Sequence, residues 1–195
     1  METMHRERKK EHTRRKLARA AAQLLLAQGL EAMTVATVAK RANVSTRTFH
    51  NYFPRREDAL VFFIECAVGE FTEKVRRAPA GEAPLDLLQR LLAERIEAAG
   101  EPDTVLNLLT ICENLGHTSS REDRQRVRNV LNPLLDALHE RTDGTLTRAG
   151  TALLLNSALS AGTVAVEEAQ RPGSPDALTL LDEGFALLRS GFSPV

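Results

Sequence analysis

The sequence predicts an all-α protein of about nine helices in two domains. Three observations carry that expectation. Apolar residues recur every three or four positions along most of the chain, the spacing of one buried helix face. Seven Phe, one Tyr and no Trp leave a core built mostly of Leu, Ala and Val, and Leu and Ala favour helix. Period-two alternation of β-branched residues is scarce, so no sheet is expected. A chain of 195 residues suffices for one large or two small domains, and 43% hydrophobic with 27% charged residues is ordinary for a globular protein.

Residues 1–11, METMHRERKKE, are too polar to fold alone and are expected as a flexible basic arm. Thr13 to Gln28 is expected as the first helix. Leu17, Ala20, Ala21, Leu24 and Leu25 fall on one face, Gly29 stops it, and Arg14, Arg15 and Arg19 lie opposite near its start.

The stretch from Thr34 to Phe53, TVATVAKRANVSTRTFHNYF, predicts two short helices joined by a tight turn. The Thr34 hydroxyl caps the first, and Val35, Val38, Ala39 and Ala42 give it one buried face. Lys40 and Arg41 occupy its last turn, where cations suit the negative end of the helix dipole. Asn43 stands where a left-handed residue is wanted. Val44 pins the turn, and Ser45 caps the next helix, STRTFHNY. Two helices joined in this way form a helix-turn-helix, whose second helix enters the DNA major groove.

In that second helix only Phe49 and Phe53 have the character of core anchors. Thr46, Arg47, Thr48, His50, Asn51 and Tyr52 are hydrogen-bonding side chains, more than packing alone requires. Arg pairs with guanine edges, Asn with adenine, and a Thr methyl meets thymine. The alternative is a polar helix on a solvated face. Charge distribution favours DNA. Residues 1–60 hold 13 Lys/Arg against 6 Asp/Glu, net +7, whereas residues 61–195 hold 13 against 20, net −7. A basic third on an acidic body is the footprint of a nucleic-acid-binding module with a separate partner domain. Arg14 or Arg15 then becomes a backbone contact. Arg6, Arg8, Lys9 and Lys10 either reach the DNA backbone or minor groove or belong to a solvated, idle start.

Pro54-Arg55-Arg56-Glu57-Asp58 predicts the start of another helix, with Pro54 in its first turn and two carboxylates at its positive end. Arg55 and Arg56 sit where a docked duplex would run. Leu60, Phe63, Ala67, Phe71 and Val75 form its buried stripe to about Arg77, making it a lever between domains. APAGEAP, residues 78–84, is the clearest break and the expected linker. Amphipathic segments follow over Leu85–Ala99, Pro102–Leu115, Ser120–Thr142, Leu146–Gln170 and Asp176–Arg189. The second is apolar most of the way round, the mark of a helix buried on several sides. Pro133 is expected to kink the third.

The run Thr34-Val35, Val38-Ala39, Ala42-Asn43-Val44-Ser45, Thr48-Phe49-His50-Asn51-Tyr52-Phe53, Arg56-Glu57-Asp58-Ala59-Leu60 resembles the TetR family of bacterial transcriptional regulators, over about Thr13 to Val68. Val44 to Leu60 fits the family pattern S-x-x-T-F-Y-x-Y-F-x-x-K-E-x-L with two departures. His50 stands where Tyr is usual, which bears on the bases or phosphates read. Arg56 stands where Lys is usual, keeping a phosphate-binding charge with different geometry. The resemblance implies an N-terminal three-helix helix-turn-helix DNA-binding domain and a C-terminal helical ligand-binding and dimerisation domain. The expected division is a flexible basic arm over 1–11, the DNA-binding domain over 12–60 with a linking helix to about 77, and the effector-binding and dimerisation domain over 85–195. The expected DNA contacts are Arg14, Arg15, Thr34, Ser45, Thr46, Arg47, Thr48, His50, Asn51, Tyr52, Arg55 and Arg56.

A short recognition helix touches few bases, so specific affinity normally comes from a dimer on two half-sites. The resemblance places a four-helix interface in the last two helices, and Leu155, Leu159, Gly162, Leu181, Phe185 and Leu188 are its expected members. The alternative is that these faces are buried within one subunit. For an effector site, Asn107, Thr110, Asn114 and His117 share one helix face, and Asn156 and Ser160 lie within an apolar run. Buried polar groups need partners, a ligand being one. The alternative is a solvent face for the first group and helix packing for the second. With so much Leu and Ala the expected pocket is mostly apolar, and the expected effector is a small hydrophobic or acyl-type molecule.

Other classes lack their signatures. The sequence holds no G-x-x-x-x-G-K loop, no H-E-x-x-H and no Gly-rich cradle, so no catalytic residues and no cofactor are expected. Glu113 and His117 are two potential metal ligands without a third, so no metal is expected. His5, His12 and His139 read as solvated. Cys66 and Cys112 read as buried free thiols of a reducing cytoplasm. No run of about 18 apolar residues suggests a membrane span, and the charged start carries no secretory h-region. The expectation is a cytoplasmic, homodimeric DNA-binding regulator, more a repressor than an activator, released from a palindromic operator by a small effector. An effector-independent architectural DNA-binding protein is the alternative.

Overall fold

The computed structural model describes residues 2–98, 105–118, 125–126 and 129–191. Among them every regular element is helical: α1 (Glu2–Gln28), α2 (Val35–Arg41), α3 (Thr46–His50), α4 (Arg56–Arg77), α5 (Pro84–Glu97), α6 (Val105–Thr118), α7 (Asn132–Glu140), α8 (Arg148–Glu168) and α9 (Ala177–Ser190). The chain divides into two compact units. One comprises residues 1–67 with 107–130, the other 68–106 with 131–195. The division falls inside α4 rather than in the expected linker.

α1 starts at Glu2, well before the expected Thr13. Its early residues are Glu, Arg and Lys, good helix formers that need no core to be helical. The Thr13 hydroxyl donates to Lys9 O at 3.0 Å, and Arg15 pairs with Glu11 at 3.1 Å. Residues 5–11, expected as an arm, are thus helix with exposed side chains. In the first unit Leu17, Ala21, Leu24, Met33, Val38, Phe49, Phe53 and Leu60 are buried. The Phe49 and Phe53 ring centroids lie 5.7 Å apart, and Phe53 and Phe62 lie 5.8 Å apart, both tilted pairs.

The second unit is built on α8, which packs against α9, α5 and α7. Its small residues allow close approach. A Cβ at Gly162 would stand 3.5 Å from Leu92, and one at Gly184 on α9 would stand 3.3 Å from Ala161. The 78–83 break is fastened rather than loose. Arg141, at the end of α7, donates to Ala78 O at 3.0 Å, to Pro79 O, and to Glu82 O at 3.4 Å. The Arg90 guanidinium, 2.8 Å from Glu82, holds that carboxyl below the usual carboxylate range. Lys74, 2.6 Å from Glu94, does the same there.

Three expectations change. Pro133 sits in the first turn of α7, just after the helical residues 129–130, so the segment expected as one kinked helix is interrupted at Leu131 and resumes where the missing N–H of Pro133 costs nothing. His139 is half-buried, its Nδ1 3.1 Å from Thr151 Oγ1. The Thr151 hydroxyl donates to Thr147 O at 3.1 Å, so the imidazole Nδ1 donates in turn. α8, with 21 residues, is long and apolar enough by composition to cross a membrane. Its contacts with three neighbouring helices give it a protein environment, but only 28% of its most apolar 18-residue window is buried. Cys66 and Cys112, expected as buried, are each half-buried.

Asn43 adopts φ 52°, in the left-handed region. A β-branched side chain is strained there by about 1–2 kcal/mol. Thermal unfolding should therefore show Asn43→Val melting well below wild type and Asn43→Gly close to it.

Candidate DNA-binding surface

The two short helices are held by reciprocal caps. Thr34 Oγ1 accepts from Thr37 N at 3.1 Å, and Thr37 Oγ1 accepts from Thr34 N at 2.9 Å, a capping box closed by two threonines. The Thr37 hydroxyl has Ala32 O at 2.7 Å and Thr34 O at 2.9 Å as acceptors. α2 then ends on buried Ala42. The left-handed Asn43 lets Val44 N turn back to Ala39 O at 2.9 Å. Ser45 Oγ accepts from Thr48 N at 3.0 Å to open α3.

α3 spans only Thr46–His50, shorter than the expected STRTFHNY, with Asn51 as its C-cap and Tyr52 in the following turn. Phe49 is its one buried residue, and Phe53 N donates back to Phe49 O at 2.9 Å. Thr46, Arg47, His50 and Asn51 are exposed, while Thr48 and Tyr52 are half-buried. The His50 ring stands edge-on to Phe49, centroids 5.7 Å apart. Four outward hydrogen-bonding side chains on one anchored turn form a surface of the kind that reads base edges.

The other expected contacts divide. The Thr34 and Ser45 hydroxyls serve their caps, and the Thr48 hydroxyl lies 2.8 Å from Ser45 Oγ. Arg15 is exposed beside Glu11. Arg14 is half-buried, its guanidinium 3.9 Å from the Phe62 ring centroid and 5.5 Å from that of Phe53, a cation–π stack over the core. Arg55 is exposed at the start of α4. Its backbone N donates to Asp58 Oδ2 at 3.0 Å and its guanidinium to Asp58 Oδ1 at 3.0 Å.

Arg56 departs furthest from its expected role as a phosphate contact. It is half-buried and donates to Leu30 O and Met33 O, both at 3.1 Å, with Glu57 at 2.8 Å. It fastens the α1–α2 loop to α4, a task for a forked donor. Two residues outside the expected set border the surface. Arg41 donates from Nε to Gln23 Oε1 at 3.2 Å, tying α2 to α1. Arg126 pairs with Asp58 at 3.2 Å and Glu65 at 3.4 Å, so one carboxylate receives two guanidinium groups. Arg41 was visible as a basic last-turn residue. Arg126 lies 68 positions from Asp58, and nothing local in the sequence points to it.

The expected effector and interface residues also divide. Asn114 donates to Thr110 O at 2.8 Å within its own helix, half-buried like Asn107 and Thr110. The side chains of Glu113 and His117 lie outside the described residues. Asn156 is exposed and donates to Ala152 O at 2.8 Å, and Ser160 is exposed, so neither faces the interior. Leu155, Gly162, Leu181 and Phe185 are buried within the chain itself, and Leu159 and Leu188 are half-buried. Among the described residues, the large apolar side chains that are exposed are Leu153 at 71%, Val164 at 55% and Leu187 at 40%.

Residues 17–60 match the family model for bacterial regulatory proteins of the tetR family. The match places this N-terminal segment with the tetR-type regulators and covers less than a quarter of the chain. The chain is 37% identical over 83 residues to the HTH-type transcriptional regulator TcmR of Streptomyces glaucescens, covering 43% of this chain and 37% of TcmR. It thus spans little more than a third of that curated relative. Among solved structures it is similar to the regulator FadR of Bacillus subtilis in complex with stearoyl-CoA. That match has a TM-score of 0.71 and 22% identity, and covers 91% of this chain and 98% of the other. Thermus thermophilus FadR, a TetR-family repressor in complex with lauroyl-CoA, gives 0.60 and 24%, covering 93% and 96%. At these identities the likeness shows that the helical fold of those two proteins is shared over nearly the whole chain, and nothing beyond the fold.

Removing the Arg56 donors leaves two loop carbonyls without them, at about 1–3 kcal/mol for such losses. Arg56→Ala should lower the melting temperature by several degrees, whereas Arg55→Ala should leave it within about a degree.

Proposed function

We propose that this protein is a transcriptional repressor of the TetR family that binds a palindromic operator as a homodimer and leaves it when a small apolar effector binds. The observation that carries the reading is α3: Phe49 holds one short turn while Thr46, Arg47, His50 and Asn51 face outward. Arg47 and Asn51 read purine edges in the major groove. Arg55 and Arg15 contribute charge to the backbone. Two such heads, related by two-fold symmetry, read half-sites about one helical turn, roughly 34 Å, apart.

The dimer contact runs along the outward face of α8, through Leu153, Asn156, Ser160 and Val164, with Leu187 of α9 beside it. These α8 positions are three or four apart, hence one stripe. A helix this apolar and this little buried needs a second surface to cover it. A second copy of the chain supplies one by symmetry. The effector is acyl-like, a reading supported by the Leu-rich helices and by the acyl-CoA complexes of the two FadR proteins. It acts in the cytoplasm by binding the DNA-incompetent arrangement better than the competent one. A panel of acyl-CoA thioesters in a thermal-shift assay, followed by DNA release, tests this part.

In DNA titrations at fixed salt, Arg47→Ala should lose about 1–3 kcal/mol of preference for operator over random duplex. Arg55→Ala should weaken both duplexes equally and reduce the salt slope by about one. Equal losses on both duplexes for both variants would contradict the assignment. Val164→Glu should convert the dimer to a monomer in sedimentation experiments, and Leu187→Glu should weaken it.

A further inference from the structure

Asp58, in the first turn of α4, holds two guanidinium groups on one oxygen. Arg55 Nη2 lies 3.0 Å from its Oδ1, and Arg126 Nη1 lies 3.2 Å from the same atom. Its Oδ2 accepts from the Arg55 backbone N at 3.0 Å. Arg126 also reaches Glu65, at 3.4 Å. Asp58 and Glu65 stand two turns apart on one face of α4, so the Arg126 guanidinium lies along that face. Arg55, Asp58 and Arg126 all belong to the first compact unit, although 68 positions separate Asp58 from Arg126. One cation satisfies an ion pair. A second one, supplied by the helical residues 125–126, sets two like charges around a single oxygen, where each loosens the other's hold. Of the two, Arg55 is exposed and Arg126 is half-buried.

We propose that Arg126 is a positioning residue for DNA binding: by neutralising Asp58 it frees the Arg55 guanidinium for a phosphate of the duplex. The inference rests on the assignment of Arg55 to the DNA backbone above, and it gives a role to a residue that does not meet the DNA. Two anions compete for one cation. Asp58 Oδ1 and a phosphate oxygen are alternative acceptors for Arg55 Nη2. Without Arg126, moving Arg55 to a phosphate leaves a carboxylate only 14% exposed with no guanidinium beside it. With Arg126 in place the carboxylate keeps a cation. Arg126 also repels Arg55 from the oxygen they share. Both effects make the transfer easier. Both act on every duplex alike, because phosphate contacts carry no base preference.

The test titrates the full-length protein with operator and random duplex at fixed salt. Arg126→Gln should weaken both by about two- to fivefold, the size of one exposed ion pair, with melting within about a degree of wild type. Arg126→Lys should recover most of that loss. In an Arg55→Ala or an Asp58→Asn background, Arg126→Gln should change nothing further, since the cation to be freed or the charge to be neutralised is gone. A merely structural contribution would persist in both backgrounds. If Arg126→Gln weakens binding as much beside Arg55→Ala as it does alone, Arg126 meets the duplex itself or acts through the fold, and the inference falls. It falls as well if Arg126→Gln leaves affinity unchanged or raises it while Arg55→Ala weakens binding; the assignment of Arg55 to the backbone then stands. If Arg55→Ala alone leaves binding intact, that assignment is wrong and this inference goes with it.

Discussion

The N-terminal unit depends on one packing constraint: Phe49 must hold a single turn of helix against the core. Five residues cannot sustain a helix by backbone hydrogen bonds alone, because nucleation consumes most of what so few bonds return. α3 is stabilised from outside. Ser45 caps its start, Phe53 N returns to Phe49 O at its end, and the Phe49, Phe53 and Phe62 rings bind it to α4. With one side chain anchored, the remaining positions are free to be polar. The density of hydrogen-bonding residues that suggests base reading is affordable only because Phe49 is buried.

The arginines of this unit show how location decides what a charge does. Arg14 lies over aromatic rings, Arg56 caps loop carbonyls, and Arg126 shares Asp58 with Arg55. These hold elements together, a use of the guanidinium that exploits its flat face and forked donors. Arg47 projects from α3 into solvent. The net charge of the N-terminal third therefore overstates the charge available to DNA.

What could be read from the sequence follows the range of each interaction. Caps at Thr34 and Ser45, the left-handed Asn43, the Gly29 stop and the Phe49–Phe53 pair are local, and each stands where residue chemistry places it. Arg56 and Arg126 act on partners 23 to 68 positions away, where no short-range pattern reaches. Pro133 and the early start of α1 escape a local pattern, because a proline can open a helix as well as bend one, and because charged residues are good helix formers without a core. The interface was harder still. Leu155, Gly162, Leu181 and Phe185 carry the apolar periodicity that identifies a buried face, but periodicity does not say whether the cover comes from the same chain. The outward set, Leu153, Val164 and Leu187, interrupts an otherwise polar face and is visible only once burial is known.

The central claim is that α3 reads a defined sequence and that two copies read it together. Selection of duplexes from a random pool by the purified protein, repeated at two salt concentrations, tests it most directly. The account expects one motif at both salts, with two inverted half-sites whose centres lie about one helical turn apart. Tight binding that falls steeply with salt and enriches no motif would contradict it, leaving a surface that holds phosphates without reading bases.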